Sequence, residues 1–137
     1  MGIENLIEFL KDDKDTLKNV AKVYEEDYLR DAFKIYEALD DKENMQKIAK
    51  EHFIKSSYDS DSLLKESGLK ATADLYSEKG DNLIKRAENY NNIELSIIKI
   101  NNYESAIECY LKANDDLKIK ETISKIKQTA NNYVKGK

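Results

Sequence analysis

The chain has 137 residues, of which 27 are acidic and 23 basic, so its net charge is −4. Apolar runs are far shorter than the roughly 20 residues that span a bilayer, proline is absent, and the single cysteine, Cys109, cannot form an internal disulfide. These features exclude a disulfide scaffold and disfavour a membrane span or a nucleic-acid partner. We expect one reduced, cytoplasmic domain over residues 1–137.

Apolar residues recur at helical spacing through the chain, beginning with Ile3, Leu6, Ile7 and Leu10. This i, i+3, i+4, i+7 pattern places them on one face of a helix, and no segment alternates with the period of a strand. Polar pairs such as Asp40-Asp41 separate the stripes and supply helix caps. The pattern predicts an all-α fold of eight helices, at 3–11, 14–26, 28–39, 42–55, 62–79, 82–100, 103–113 and 116–133.

Short connections make neighbouring helices antiparallel, which predicts four hairpins near residues 3–26, 28–55, 62–100 and 103–133. A motif of tyrosine, three residues, then Asp, Gly or Asn followed by Asp occurs at Tyr36, Tyr76 and Tyr110. A small residue lies four positions before each tyrosine, as Ala32 and Ala106 illustrate. Such recurrence is typical of a repeated helical hairpin that buries one face on the next.

The segment from Asn101 to Ala113 resembles the second helix of a tetratricopeptide repeat. Tyr103, Ala106, Tyr110 and Ala113 stand where that family has an aromatic, a small residue, an aromatic and an alanine. The punctuation is also similar to that of the looser tetratricopeptide-like solenoids of coat, adaptor and SNAP-type proteins. The resemblance implies a short right-handed α-α superhelix that binds another protein or a peptide as an adaptor, scaffold or regulatory subunit.

Residues that could support catalysis are few. His52 is the only histidine, and it lies at the edge of an apolar stripe, so a structural or solvated role is favoured. We interpret Cys109 as a small packing residue within a helix. The glycines form no phosphate-binding loop and the acids form no calcium-loop pattern. We therefore expect no enzyme, no cofactor, no metal site and no small-molecule substrate.

The segment from Ile93 to Ile100 is apolar around most of its circumference. Central packing between hairpins would explain this, and exposure in a binding groove would also explain it. In tetratricopeptide proteins the first helix of each repeat lines the groove. The resemblance transfers that role to four predicted partner-binding residues, Asn91, Leu95, Ile98 and Lys99.

Two other functions remain open from the sequence. The hairpins show no obvious polar capping helix, so the chain could assemble with itself, for example as a homodimer. The segment after Leu117 carries six lysines against Glu121 alone. That excess could bind nucleic acid, although lysines near a terminal helix usually serve solvation and the helix dipole.

Overall fold

A computed structural model describes residues 2–136, which contain helices and, over that range, no β-strand. The predicted all-helical class is confirmed. The described helices are α1 (Ile3–Phe9), α2 (Lys14–Tyr24), α3 (Leu29–Ala38), α4 (Lys42–Lys55), α5 (Ser62–Glu66), α6 (Ala73–Glu88), α7 (Ser96–Ala113) and α8 (Asp116–Lys135), with a 3-10 helix at Ile93–Leu95.

The helices group into two compact units, one ending at residue 70 and one beginning at residue 71. That both units make a single repeat domain over 1–137 stays a prediction. Within residues 2–136 no helix combines the length and the apolar character that crossing a bilayer requires.

The first unit contains α1 to α5, and α3 is its centre. Helix α3 packs against α1, α2 and α4, and α4 packs against α5. The fully buried side chains include Phe33 and Tyr36 from α3 and Phe53 from α4. Asp13 and Asp41 cap α2 and α4, because their carboxylates accept the backbone N–H of Thr16 and Asn44.

The second unit contains α6, the 3-10 helix, α7 and α8. Helix α7 packs against both α6 and α8. Its buried cluster joins Leu83 of α6 to Ala106, Cys109 and Tyr110 of α7, and Ile119 of α8 packs on this cluster. The apolar positions therefore hold three helices together, with α7 in the middle.

The bounds predicted for three helices in the second half, 62–79, 82–100 and 103–113, are wrong. The chain forms α5, α6 and α7 with breaks at other residues, and only the start of the first helix and the end of the third are where they were predicted. Gly80 and Asp81, interpreted as a turn, lie inside α6, where Gly80 is buried. A Cβ on Gly80 would come within 2.6 Å of Cε1 of Tyr110. The glycine is there because the tyrosine ring passes close to the α6 backbone, and not because the chain turns.

Asn101 and Asn102, also interpreted as a break, lie inside α7. The Asn102 side chain donates to the backbone carbonyl of Ile98, at 3.0 Å, which satisfies it within the helix. The chain instead turns between Asn89 and Asn92, where Asn92 caps the 3-10 helix. The hairpins of this unit are therefore α6–α7 and α7–α8.

Two of the three tyrosine motifs make the predicted turn. Asp40 and Asn114 adopt left-handed φ angles of 55° and 57°. The next residue in each case is an aspartate that caps the following helix, and its backbone N–H donates to the carbonyl of Tyr36 or Tyr110. Tyr76 differs, since it lies within α6 and only partly buried.

The predicted repeat positions otherwise lie where a packing role requires them. Ala32, Tyr36, Tyr103, Ala106 and Tyr110 are buried. Ala113, at the end of α7, is partly exposed.

Candidate functional site

An apolar groove lies where the start of α7 meets the end of α8. It has a volume of about 360 Å³ and its lining is mostly apolar. The lining residues, which define the α7–α8 groove, are Glu94, Ser96, Ile97, Ile100, Ala130, Tyr133 and Val134. Large apolar side chains gather here around an open concave surface.

Exposure within the groove is high. Ile97 is 65% exposed and Val134 is 71% exposed, whereas Ile100 and Tyr133 are partly buried and form the floor. Ile93 packs against Gly136, where an added Cβ would clash with its side chain. The 3-10 helix thereby packs at the end of α8.

The antiparallel course of α7 and α8 brings these residues together. The two helices are joined at Asn114 and Asp115, so the start of α7 is opposite the end of α8. The Asp115 carboxylate accepts from the backbone N–H of Lys118 at 3.1 Å and fixes the start of α8. The buried residues of the hairpin then leave Ile97 and Val134 on its outer face.

A hydrogen-bonded network on the opposite side of α8 fixes that helix against α6. The Tyr110 hydroxyl donates to Oδ1 of Asp81 at 2.6 Å. The ammonium group of Lys118 donates to both Asp81 carboxylate oxygens, at 3.0 and 3.1 Å, and to Ser77 at 3.1 Å. Burial, and then the bond to Asp81, raise the pKa of Tyr110. The phenol therefore stays protonated and keeps donating.

The first unit contains a similar contact. The Tyr36 hydroxyl donates to Oε2 of Glu25 at 2.5 Å, and Lys47 approaches the other oxygen of Glu25 at 3.4 Å. Burial, and then the bond to Glu25, raise the pKa of Tyr36. In each unit a buried tyrosine at the end of a central helix thus ties a neighbouring helix through a carboxylate.

A charged cleft between α6 and α8 is a weaker candidate. Its volume is about 340 Å³, and it is lined by acidic and basic residues together with Tyr110. Lys118 pairs with Asp81 at 3.0 Å and Lys125 pairs with Glu88 at 3.4 Å. The charges of this cleft largely satisfy one another, which leaves little net field for a ligand.

The four predicted partner-binding residues lie next to the groove rather than in its lining. Asn91 is exposed in the α6–α7 connection, and Leu95 is the partly buried last residue of the 3-10 helix. Ile98 is 39% exposed and Lys99 is partly buried, both in the first turn of α7. Whether they contact a partner stays a prediction.

Central packing of the segment from Ile93 to Ile100 is not observed. Ile93, Ile97 and Ile98 are all exposed to a substantial degree. The sequence predicts one helix over 82–100, but the chain turns between Asn89 and Asn92. The segment therefore starts α7, at the edge of the unit, and does not continue α6. Val134 was missed altogether, although its spacing of four from Ala130 on α8 places both on one face.

The groups expected to be chemically inert lie in unremarkable surroundings. His52 is partly buried on α4, at the edge of a shallow hollow with Tyr28 and Arg30. Cys109 is buried in the cluster with Leu83. In the described chain no three His, Cys, Asp or Glu side chains are arranged to hold a metal ion.

Comparisons of the chain with protein-family models, with curated proteins and with solved structures give no match.

Proposed function

We propose that this chain is a helical protein-interaction module, of the tetratricopeptide-like kind that its sequence resembles, and that the α7–α8 groove binds an apolar helix or peptide. The observation that carries the proposal is the exposure of Ile97 and Val134 around a concave apolar floor. Soluble domains seldom leave large aliphatic side chains together in a groove unless something covers them. The role is one of binding, without catalysis.

The groove offers a useful amount of binding energy. Fully burying an exposed isoleucine or valine is worth about 1.5–3 kcal/mol. Scaled by the exposed fractions of 65% and 71%, covering Ile97 and Val134 contributes about 2–4 kcal/mol before ordering costs. A partner helix with two or three apolar residues at helical spacing fits this surface.

Site-specific photo-crosslinking in the source cell tests the proposal. A photoreactive amino acid replaces Ile97 in one variant and Gln128 in a control. Gln128 is exposed on α8 and lies outside the groove lining. We expect a crosslinked polypeptide from position 97 and none from position 128. Equal products at both positions, or none at position 97, would refute a binding role for the groove.

A second pair of variants separates binding from folding. Ile97→Ser and Val134→Ser should retain the helical circular dichroism of the parent, because both side chains are already exposed. In a strain that also carries the photoreactive group at Ile100, either substitution should reduce the crosslinked product. A loss of helicity would show that the side chain is part of the core.

A further inference from the structure

Further exposed apolar residues lie beyond the groove on the same side of the α7–α8 hairpin. Leu111, like Ile97, is exposed on α7, and Ile123, like Val134, is exposed on α8. Residues 97, 104, 108 and 111 share one side of α7, and residues 120, 123, 127 and 134 share one side of α8, by the 100° step of a helix. We call this surface the hairpin face.

The hairpin face carries opposite charges on its two helices. Glu104 and Glu108 are exposed on α7, whereas Lys120 and Lys127 are exposed on α8. Within the described chain these four side chains form no ion pair with one another or with other residues, unlike Lys118 and Lys125 on the far side of α8. Over residues 104–108 of α7 and 120–127 of α8, each helix therefore presents a row of charges of one sign on this side, while the exposed Asp116 lies on the same side of α8 but nearer the turn.

The rows are also level with each other. Ile97 and Ile100 of α7 line one groove with Ala130 and Val134 of α8. From the antiparallel course of the two helices we infer that Ile100 lies near the level of Ala130 and Ile97 near the level of Val134. Continuing this pairing places Glu104 about one residue, or ~1.5 Å along the axis, from the level of Lys127. Glu108 comes about two residues, or ~3 Å, from the level of Lys120.

We propose that the hairpin face docks on the same face of a second copy of this chain, through a two-fold axis parallel to the hairpin. Such an axis lays α7 of one copy on α8 of the other without changing their levels. Glu104 and Glu108 then meet Lys127 and Lys120 of the second copy, twice over, and Ile97 meets Val134. The inference rests on the proposed function, because it names the polypeptide that the groove binds.

The charges favour a two-fold axis parallel to the helices over one perpendicular to them. With the axis perpendicular to the helices, α7 would lie on α7 and α8 on α8. Acids would then oppose acids and lysines would oppose lysines, which disfavours association. An isologous interface needs a self-complementary patch, and the hairpin face is self-complementary only when α7 crosses to α8.

Reciprocal charge reversal tests the pairing by sedimentation velocity. One variant carries Glu104→Lys and Glu108→Lys, and the other carries Lys120→Glu and Lys127→Glu. The parent should dimerise reversibly and more weakly at high salt. Each variant alone should show a dimer dissociation constant raised about tenfold or more, since all four interfacial rows become alike in sign.

The mixture of the two variants is the decisive sample. Lysines on α7 of the first then face glutamates on α8 of the second, and lysines on α8 of the first face glutamates on α7 of the second. We expect a heterodimer with parent-like affinity. The matched control, Glu26→Lys with Glu37→Lys, changes the net charge equally at exposed residues of the first unit, and it should dimerise as the parent does.

The outcomes separate this inference from the proposed function. A parent that stays monomeric at high concentration, or a mixture that fails to restore association, overturns the second-copy pairing. If position 97 nevertheless crosslinks a different polypeptide, the interaction function stands without it. If position 97 crosslinks nothing, both are refuted. Should a charge-reversed variant unfold, Val134→Ser provides the same test of association.

Discussion

Replacing Gly80 by alanine tests whether this glycine serves packing or merely weakens α6. The added Cβ would lie 2.6, 2.9 and 3.0 Å from Cε1, Cζ and Cδ1 of Tyr110. The ring cannot move aside cheaply, because Tyr110 is only 2% exposed and its hydroxyl is bonded to Asp81. We therefore expect Gly80→Ala to destabilise the second unit.

The magnitude follows from two opposing effects. Alanine is favoured over glycine in a helix by about 1 kcal/mol. Overpacking of a filled core costs about 1–3 kcal/mol, and displacing Tyr110 from the Asp81 carboxylate costs about 1.5 kcal/mol. The packing effects outweigh the gain in helix propensity, so the free energy of unfolding should fall by about 2 kcal/mol. For a unit of this size that lowers Tm by roughly 8–16 °C.

Urea unfolding followed by circular dichroism at low protein concentration measures the effect. The matched control is the same substitution in a Tyr110→Leu background, where the ring atoms that clash are gone. There Gly80→Ala should stabilise the protein by up to about 1 kcal/mol, as helix propensity alone requires. A stabilising Gly80→Ala in the parent would refute the packing role of this glycine.

The tyrosine bonds and the helix caps give two further predictions. Tyr36→Phe and Tyr110→Phe should each lower the free energy of unfolding in urea by about 1–2 kcal/mol. The loss should be larger for Tyr36, because the Glu25 side chain is 18% exposed whereas that of Asp81 is 48% exposed. Equal or negligible losses would contradict this. Asp41→Ala should lower the free energy of unfolding by about 1 kcal/mol. Hydrogen bonds from Asn44 hold the pKa of Asp41 below its ordinary value. The stabilisation by this cap is therefore present above about pH 4 and is lost as the pH falls further. Asp41→Asn should keep most of the cap and reduce the acid sensitivity, which pH-dependent melting measures.

The first half of the fold could be predicted closely because its helix ends carry their own signals. Asp13 and Asp41 are followed by apolar stripes and act as caps, so α2 and α4 begin where the sequence predicts. A cap works through hydrogen bonds within one turn, and those can be inferred from neighbouring residues. The end of α7 and the start of α8 at Asp115 were predictable for the same reason.

The centre of the chain could not be predicted because its polar residues serve distant contacts. Asp81 resembles a cap in sequence, yet it accepts from Tyr110, which is 29 residues away. Asn102 resembles a turn residue, yet its side chain bonds back into its own helix. The groove depends on the same information, since Ile97 and Val134 come together only when α7 is continuous and α8 runs back along it.

The three tyrosine motifs show why similar short sequences adopt different structures. A helix ends at this motif when the residue before the aspartate adopts a left-handed conformation, as Asp40 and Asn114 do. Gly80 is the residue best suited to that conformation, but α6 continues through it. Because α6 continues through Gly80, the Tyr110 ring packs against the glycine and its hydroxyl reaches Asp81. The tyrosine of the third motif therefore packs on the Gly-Asp pair of the second. That contact aligns α7 against α6, and the alignment leaves the opposite side of α7 free to form the hairpin face with α8.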